Sequence, residues 1–485
     1  MDTLADHIVS RLFTYEDKRL TIVLNRDGFL SRPDVQEALH YASVSIYHGK
    51  AIDLRVMVET DLEETPGRVL FIQDEEFEVL PDIAQRADVV TFQARNLFPR
   101  YHWETVRKRD YYTLRWLFEQ KQILKLDAIA TGFILQQYDN SQARVDDVMR
   151  QLKAQWQTMC DKLDFHRPQR WASALSSIML RAIELERWHE MIAPITELNT
   201  AFQEFLRQSY VSIASASLGR NCPRNVCQVL PFIAKQENAK SALIVVDGMN
   251  LWQAEILRSH FAESIKGIIT QFDASFSWLP STTELSRQAI FRGNRPVETY
   301  IQNPHNEEKL WDEFWLAKKV LASLIYYQYD GDVDEVPPMR QYFGYVTTDL
   351  DDKMHSATNY MYLYDDTRRW VNDGRLLGVV RTLLNAGFTI YITTDHGNIE
   401  PQSVVKLSQD EKTGASWSGR HITLHPSANR QLFAHAHAGE VLQINDASQT
   451  FYPTDRHIFS RENHVTHGGT HWLEVIIPFI TIRKI

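Results

Sequence analysis

A chain of 485 residues exceeds one ordinary hydrophobic core, so two or three domains are expected. Its 44% hydrophobic and 24% charged residues describe a globular protein, and no apolar run reaches the roughly 18–20 residues that span a bilayer. The formal net charge of −10 excludes a broad electrostatic grip on DNA, so a phosphate-bearing ligand must be held in a local pocket.

The first residues, up to Phe13, lack a basic region followed by a long apolar core, so no signal peptide is expected. Three cysteines, Cys160, Cys222 and Cys227, are too few for a disulfide framework and suit a reducing cytoplasm. Residues 1–105 read as a small N-terminal α/β domain. Arg19–Asn25, Ile52–Glu59, Arg68–Gln73 and Ala87–Gln93 are short apolar runs that predict four strands. Helical spacing between them, as from Arg32, predicts parallel pairing. The turn at Asn25–Gly28 ends a strand and reads as a plain Asp-Gly turn.

Residues 106–235 are helical in pattern, with apolar residues at three- and four-residue spacing through Tyr111–Tyr138, Ser141–Leu163 and Ser173–Ser215. The stretch predicts a helical domain or bridge. Cys222-Pro223-Arg224 superficially resembles a sulfatase nucleophile motif, but the spacing is wrong for one.

Residues 236–485 return to α/β patterning. The apolar runs ending at Asp247, near Asp351 and at Asp395 predict strands that each deliver an acid at the carboxyl end. Helical patterns over Trp311–Tyr326 and Asp366–Asn385 precede the second and third, and Trp472–Ile482 predicts a terminal buried strand. Ligands of open α/β sheets gather at carboxyl strand ends, so these acids should converge. Asp247, Asp351, His355, Asp395, His396 and His467, with the hydroxyl of Thr283, form a mixture of oxygen and imidazole donors suited to Zn²⁺ or Mn²⁺. Seven groups are too many for one tetrahedral ion and about right for two, an arrangement that clamps attacking and leaving oxygens of a phosphoryl displacement. Ser281-x-x-Glu284 reads as a capping box that puts Thr282 and Thr283 in a first helical turn, where phosphate is favoured. Arg287 and Arg292 follow on that helix, and Arg420 lies in a polar loop; Arg287 and Arg420 are candidate substrate ligands. His435 and His437 alternate as strand residues would, and His464 and His471 flank His467 as candidate supporting donors.

In this order, Asp247-Gly248, Pro280-Ser281-Thr282-Thr283, Asp351-x-x-x-His355, Asp395-His396-Gly397 and His467-Gly468-Gly469 resemble the alkaline-phosphatase superfamily. The phrasing around them is similar to the PglZ domain, over about residues 240–485. The resemblance implies an alkaline-phosphatase-like sheet and a phosphodiesterase acting on nucleotides or oligonucleotides in BREX-type bacterial phage defence. It assigns Asp247, Asp395, His396 and Thr283 to one metal and Asp351, His355 and His467 to the other, with Thr283 as nucleophile. Asp351 rather than Asp349 keeps the four-residue step to His355. Protein partners of a defence complex would bind through the N-terminal half. A phosphomutase of the same superfamily, or a non-catalytic metal-binding subunit of a defence complex, are the alternatives.

Overall fold

A computed structural model describes residues 3–14, 18–445, 448–459 and 464–484. The contacts divide the chain into two compact units, Met1–Arg150 and Gln151–Ile485, where the sequence suggested three zones with boundaries near 105 and 235.

The first unit is built on β1 (Leu20–Asn25), β2 (Val44–Gly49), β3 (Arg68–Gln73) and β4 (Ala87–Phe92), all parallel, in the order β2-β3-β1-β4. Side chains alternate across the sheet. Leu20, Ile22, Val69 and Phe71 enter one core with Leu54 and Met57, whereas Val23, Leu70 and Ile72 enter the other. The second core also takes Tyr111, Leu114, Leu117 and Leu135. The helices Tyr111–Glu119 and Ala128–Asp139 therefore complete the N-terminal unit, which is why the division falls beyond 105. Ile52–Glu59, expected as a strand, lies in the helix Ala51–Thr60. Leu54, Met57 and Val58 there recur at helical spacing and are the buried ones, while β2 supplies the fourth strand.

The second unit contains a six-stranded sheet of β5 (Ser241–Val246), β6 (Ile268–Phe276), β7 (Ile325–Tyr329), β8 (Tyr342–Thr347), β9 (Thr389–Thr393) and β10 (Ile476–Lys484), in the order β6-β10-β9-β5-β8-β7. β5 is buried along its whole length, as a continuous β-branched run in the middle of a sheet should be. The helix expected over Trp311–Tyr326 runs instead over Pro304–Ala317, and the Tyr-rich residues after it form edge strand β7.

β10 is antiparallel to both β6 and β9. Its beginning consequently shares a sheet edge with the carboxyl ends of the other strands, so the segment His467–Leu473 reaches that edge.

The helices Ala172–Glu184 and Ile192–Ala214 belong to this unit rather than forming a bridge. Asn199 Oδ1 accepts from the backbone N–H of Trp472 (3.1 Å), and Gln203 Nε2 donates to Thr470 Oγ1 (3.0 Å). A small lobe between β9 and β10 packs Val405, Ile422, Phe433, Phe451 and Phe459 around short strands. His435 and His437, expected on a strand, lie at the end of its helix Arg430–Ala436. His435 is exposed, and His437 packs against Glu411 and Glu440.

Candidate active site

The carboxyl end of β5 turns sharply after Asp247, with Gly248 in the left-handed region (φ 69°) and pressed against Asp351. β9 runs through Thr394 into Asp395 and His396, and a Cβ on Gly397 would sit 2.0 Å from the carbonyl of Leu473. Only glycine fits there, so the Asp395-His396 turn is seated on the chain just before β10. β8 leads into the helix Asp349–Ser356, whose first and second turns present Asp351 and His355.

These four strand-end segments bring Asp247, Asp351, Asp395, His396 and His467 together. One ligand atom each from Asp247, Asp395 and His396 lies within 4.8 Å of the others, and the same holds for Asp351, His396 and His467. The rings of His396 and His467 stack at 3.7 Å with 4° between planes. His396 Nδ1 faces the Gly397 carbonyl (2.9 Å) and His467 Nδ1 that of Ser281 (3.2 Å). With Nδ1 turned to a carbonyl, each ring presents Nε2 to the acids: His396 Nε2 is 3.5 Å from Asp247 Oδ1 and His467 Nε2 is 4.0 Å from Asp351 Oδ1.

Three buried carboxylate oxygens here, Asp247 Oδ1, Asp351 Oδ1 and Asp395 Oδ2, have no hydrogen-bond partner among the described residues. Burial, together with repulsion from Asp395, raises the Asp247 carboxyl well above its ordinary range. Burial likewise raises Asp395 against the pull of Arg287. Burial pushes Asp351 up too, but His355, His467 and His396 outweigh it and hold that carboxyl low. His467 is driven down by burial and by His396, which keeps its ring neutral. Orphaned acceptors, mutually repelling acids and inward-facing imidazole nitrogens are what a divalent cation would complete, so the donor set fits metal binding.

The expected partition of ligands shifts in one respect. His396, rather than His355, closes the group around Asp351 and His467. His355 Nε2 instead approaches the other oxygen of Asp351, at 3.4 Å.

Thr283 begins the helix Thr283–Arg292, and its Oγ1 lies 3.0 Å from His396 Nε2. The expected capping box does not form: Thr282 is the N-cap residue and makes no side-chain cap, while Ser281 donates to the Gly469 carbonyl (2.8 Å). That bond ties the loop before Thr283 to the segment carrying His467.

Neither candidate substrate arginine faces the crevice with a free guanidinium. Arg287 is buried, donating to Asp247 Oδ2 at 2.6 Å and ion-paired with Glu307 at 2.6 Å. Arg420 is wholly buried in a bidentate pair with Glu474 (3.0 and 2.7 Å) and also donates to the Asp455 carbonyl (2.9 Å). An arginine is expected at the surface unless a buried acid opposes it, and here Glu307 and Glu474 do so. These two acids lie on the helix Pro304–Ala317 and in the short turn Trp472–Val475, and nothing local in the sequence pairs either with a distant arginine. His464 is exposed; His471 Nε2 is 3.6 Å from Asp455 Oδ1 and does not face the acids.

With the geometry in place, the chain matches the BREX system PglZ alkaline phosphatase-like domain over residues 226–482. The chain belongs to that family, and its phosphoesterase-type domain is alkaline-phosphatase-like. No curated protein matches the chain significantly. Among solved structures, murine ectonucleotide pyrophosphatase/phosphodiesterase 5 is 13% identical, covering 50% of this chain and 87% of that one, with a TM-score of 0.36. The human protein of the same name gives 12%, 50%, 87% and 0.33, and phosphonoacetate hydrolase from Sinorhizobium meliloti 1021 in complex with phosphonoacetate 12%, 50%, 90% and 0.32.

Proposed function

We propose that the protein is a metal-dependent phosphodiesterase with Thr283 as nucleophile, acting on nucleotide or oligonucleotide esters in phage defence. The observation that carries this reading is the hydroxyl of Thr283 at a helix N-terminus, 3.0 Å from an imidazole that belongs to both groups of clustered donors. Asp247, Asp395 and His396 would hold one divalent ion. Asp351, His467 and His396 or His355 would hold the other, with Zn²⁺ favoured and Mn²⁺ a fit for the same donors. Ions so held would lower the pKa of the attacking hydroxyl and offset charge on the phosphoryl oxygens.

Thr283 Oγ1 attacks phosphorus in line; the P–O bond to the leaving alcohol breaks, and that alkoxide takes a proton. Water then cleaves the phosphothreonine ester, releasing the phosphoryl product and restoring the hydroxyl. The first backbone N–H groups of the Thr283–Arg292 helix have no intrahelical partner and point to where an anionic phosphoryl group would sit. The Nδ1 bonds of His396 and His467 fix both rings so that their Nε2 atoms face the reacting centre.

Hydrolysis of bis(p-nitrophenyl) phosphate, with Zn²⁺, Mn²⁺ or chelator, tests the reading. Turnover should require the metal and fall by at least about a thousandfold in Thr283→Ala, in line with loss of a covalent nucleophile. Equal turnover in both proteins would remove Thr283 as nucleophile. Tight metal uptake with no turnover of any phosphoester would favour a non-catalytic subunit.

A further inference from the structure

Of the twelve tryptophans, eleven are buried or half-buried; Trp417 is 72% exposed. It sits one ring away from the donor cluster. Its indole meets the ring of His355 edge-on, with centroids 4.9 Å apart and 68° between planes. His355 in turn faces His467 (5.5 Å), which stacks on His396 (3.7 Å), the residue in contact with Thr283. A file of rings therefore leads from the hydroxyl to an exposed indole.

The indole is held there by a built turn. Gly419 N–H donates to the Ser416 carbonyl (3.0 Å), which places Trp417 and Ser418 at the two central positions of a β-turn, with Gly419 at φ 70°. The turn is tied on both flanks to the segment that carries His467. Thr466 Oγ1 donates to the Ser418 carbonyl (3.1 Å), and the His421 ring bonds the Gly468 carbonyl (3.2 Å). Phe459 N–H donates to the Gly419 carbonyl (2.8 Å). A large apolar side chain presented to water costs hydration free energy, and a turn anchored this way keeps it from folding inward. The position has a use if a flat ring covers it.

We infer that Trp417 is a stacking platform for the nucleobase of a nucleoside phosphoester whose phosphoryl group lies at the Asp247–His467 cluster. The inference rests on the phosphoesterase reading for the placement of the phosphoryl group. It adds that recognition is by the π-face of the base. Stacking of that kind tolerates any base, because every base has a π-face. It also agrees with the absence of a broad basic surface implied by the net charge of −10.

The test is binding of AMP and of ribose 5-phosphate to the metal-loaded full chain by calorimetry, in wild type, Trp417→Ala and Trp417→Phe. Wild type should prefer AMP, Trp417→Ala should weaken AMP by about tenfold and leave ribose 5-phosphate unchanged, and Trp417→Phe should restore most of the preference. AMP should also quench the red-shifted, solvent-exposed part of the tryptophan emission in wild type and not in Trp417→Ala. Equal affinity of wild type for the two ligands would overturn the inference. So would equal weakening of both ligands by Trp417→Ala, which would mark Trp417 as a support for His355. Metal-dependent diester turnover without base preference would sink the platform and leave the phosphoesterase reading standing. Base preference without any turnover would do the reverse.

Discussion

Arg287 carries its charge where water has little access, bonded to Asp247 on one side and ion-paired with Glu307 on the other. Burial by itself lowers its pKa, but Asp247 and Glu307 outweigh that and keep the guanidinium charged. It thereby fixes one oxygen of Asp247 and leaves Oδ1 turned towards His396. Replacing Arg287 with Met should cost about 3–5 kcal/mol in urea unfolding, because two buried carboxyls lose their counter-ion together. Adding Glu307→Gln to that variant should recover part of the loss; no recovery would mean that packing rather than charge was lost. Arg420 with Glu474 shows the same chemistry beneath the His467-Gly468-Gly469 segment, where Gly469 N–H also donates to Glu474 Oε1 (2.9 Å).

Element ends do comparable work in the N-terminal unit. The helix Tyr111–Glu119 is capped by Asp110, whose Oδ1 accepts from Thr113 N–H (3.0 Å) while Arg144 pairs with Oδ2 (2.8 Å). Burial tends to raise the Asp110 pKa, but the Thr113 N–H and the Arg144 guanidinium outweigh it and hold the carboxyl below its usual range. A folded pKa below the unfolded one gives stability that is present above about pH 4 and is lost as pH falls through the folded value. Asp110→Ala should therefore cost about 1 kcal/mol at pH 7. The gap from wild type should narrow as acid titrates the carboxylate. Far-UV circular dichroism of urea unfolding at pH 7 and at about pH 3, below the unfolded carboxylate's range, checks this; a gap independent of pH would remove the ionised cap. In the other unit the direction of β10 is the decisive element property. Run parallel to β9, it would carry His467 to the opposite edge of the sheet.

For the whole molecule, the two compact units predict two responses to metal removal. The donor cluster lies wholly within Gln151–Ile485, so chelation should lower the unfolding midpoint of that unit and leave Met1–Arg150 unchanged. Saturation at a hundred times Kd corresponds to about 2.7 kcal/mol per site. Tryptophan emission, dominated by residues from Trp156 to Trp472, follows the C-terminal unit, and hydrogen exchange in β1–β4 follows the other. Equal loss in both units, or none, would contradict the assignment.

The alkaline-phosphatase-like half is legible from the order of amino acids alone. Its strands are continuous apolar runs that end in Asp247 and Asp395, and local pattern is strong where a strand is buried on both faces. Short motifs also mark Asp247, Asp351, Asp395, His396 and His467, which the fold brings together. Ile52–Glu59 lies in a helix whose β-branched residues imitate a strand, and edge strands β6 and β7 are not legible in the same way, because half-exposed residues blur the alternation. What the chain order does not show is that His396 lies in both donor groups, that Arg287 and Arg420 are buried against Glu307 and Glu474, and that Trp417 stands exposed beside His355. Each of these depends on which distant residue arrives opposite, and burial and pairing between segments hundreds of residues apart leave no local pattern to read.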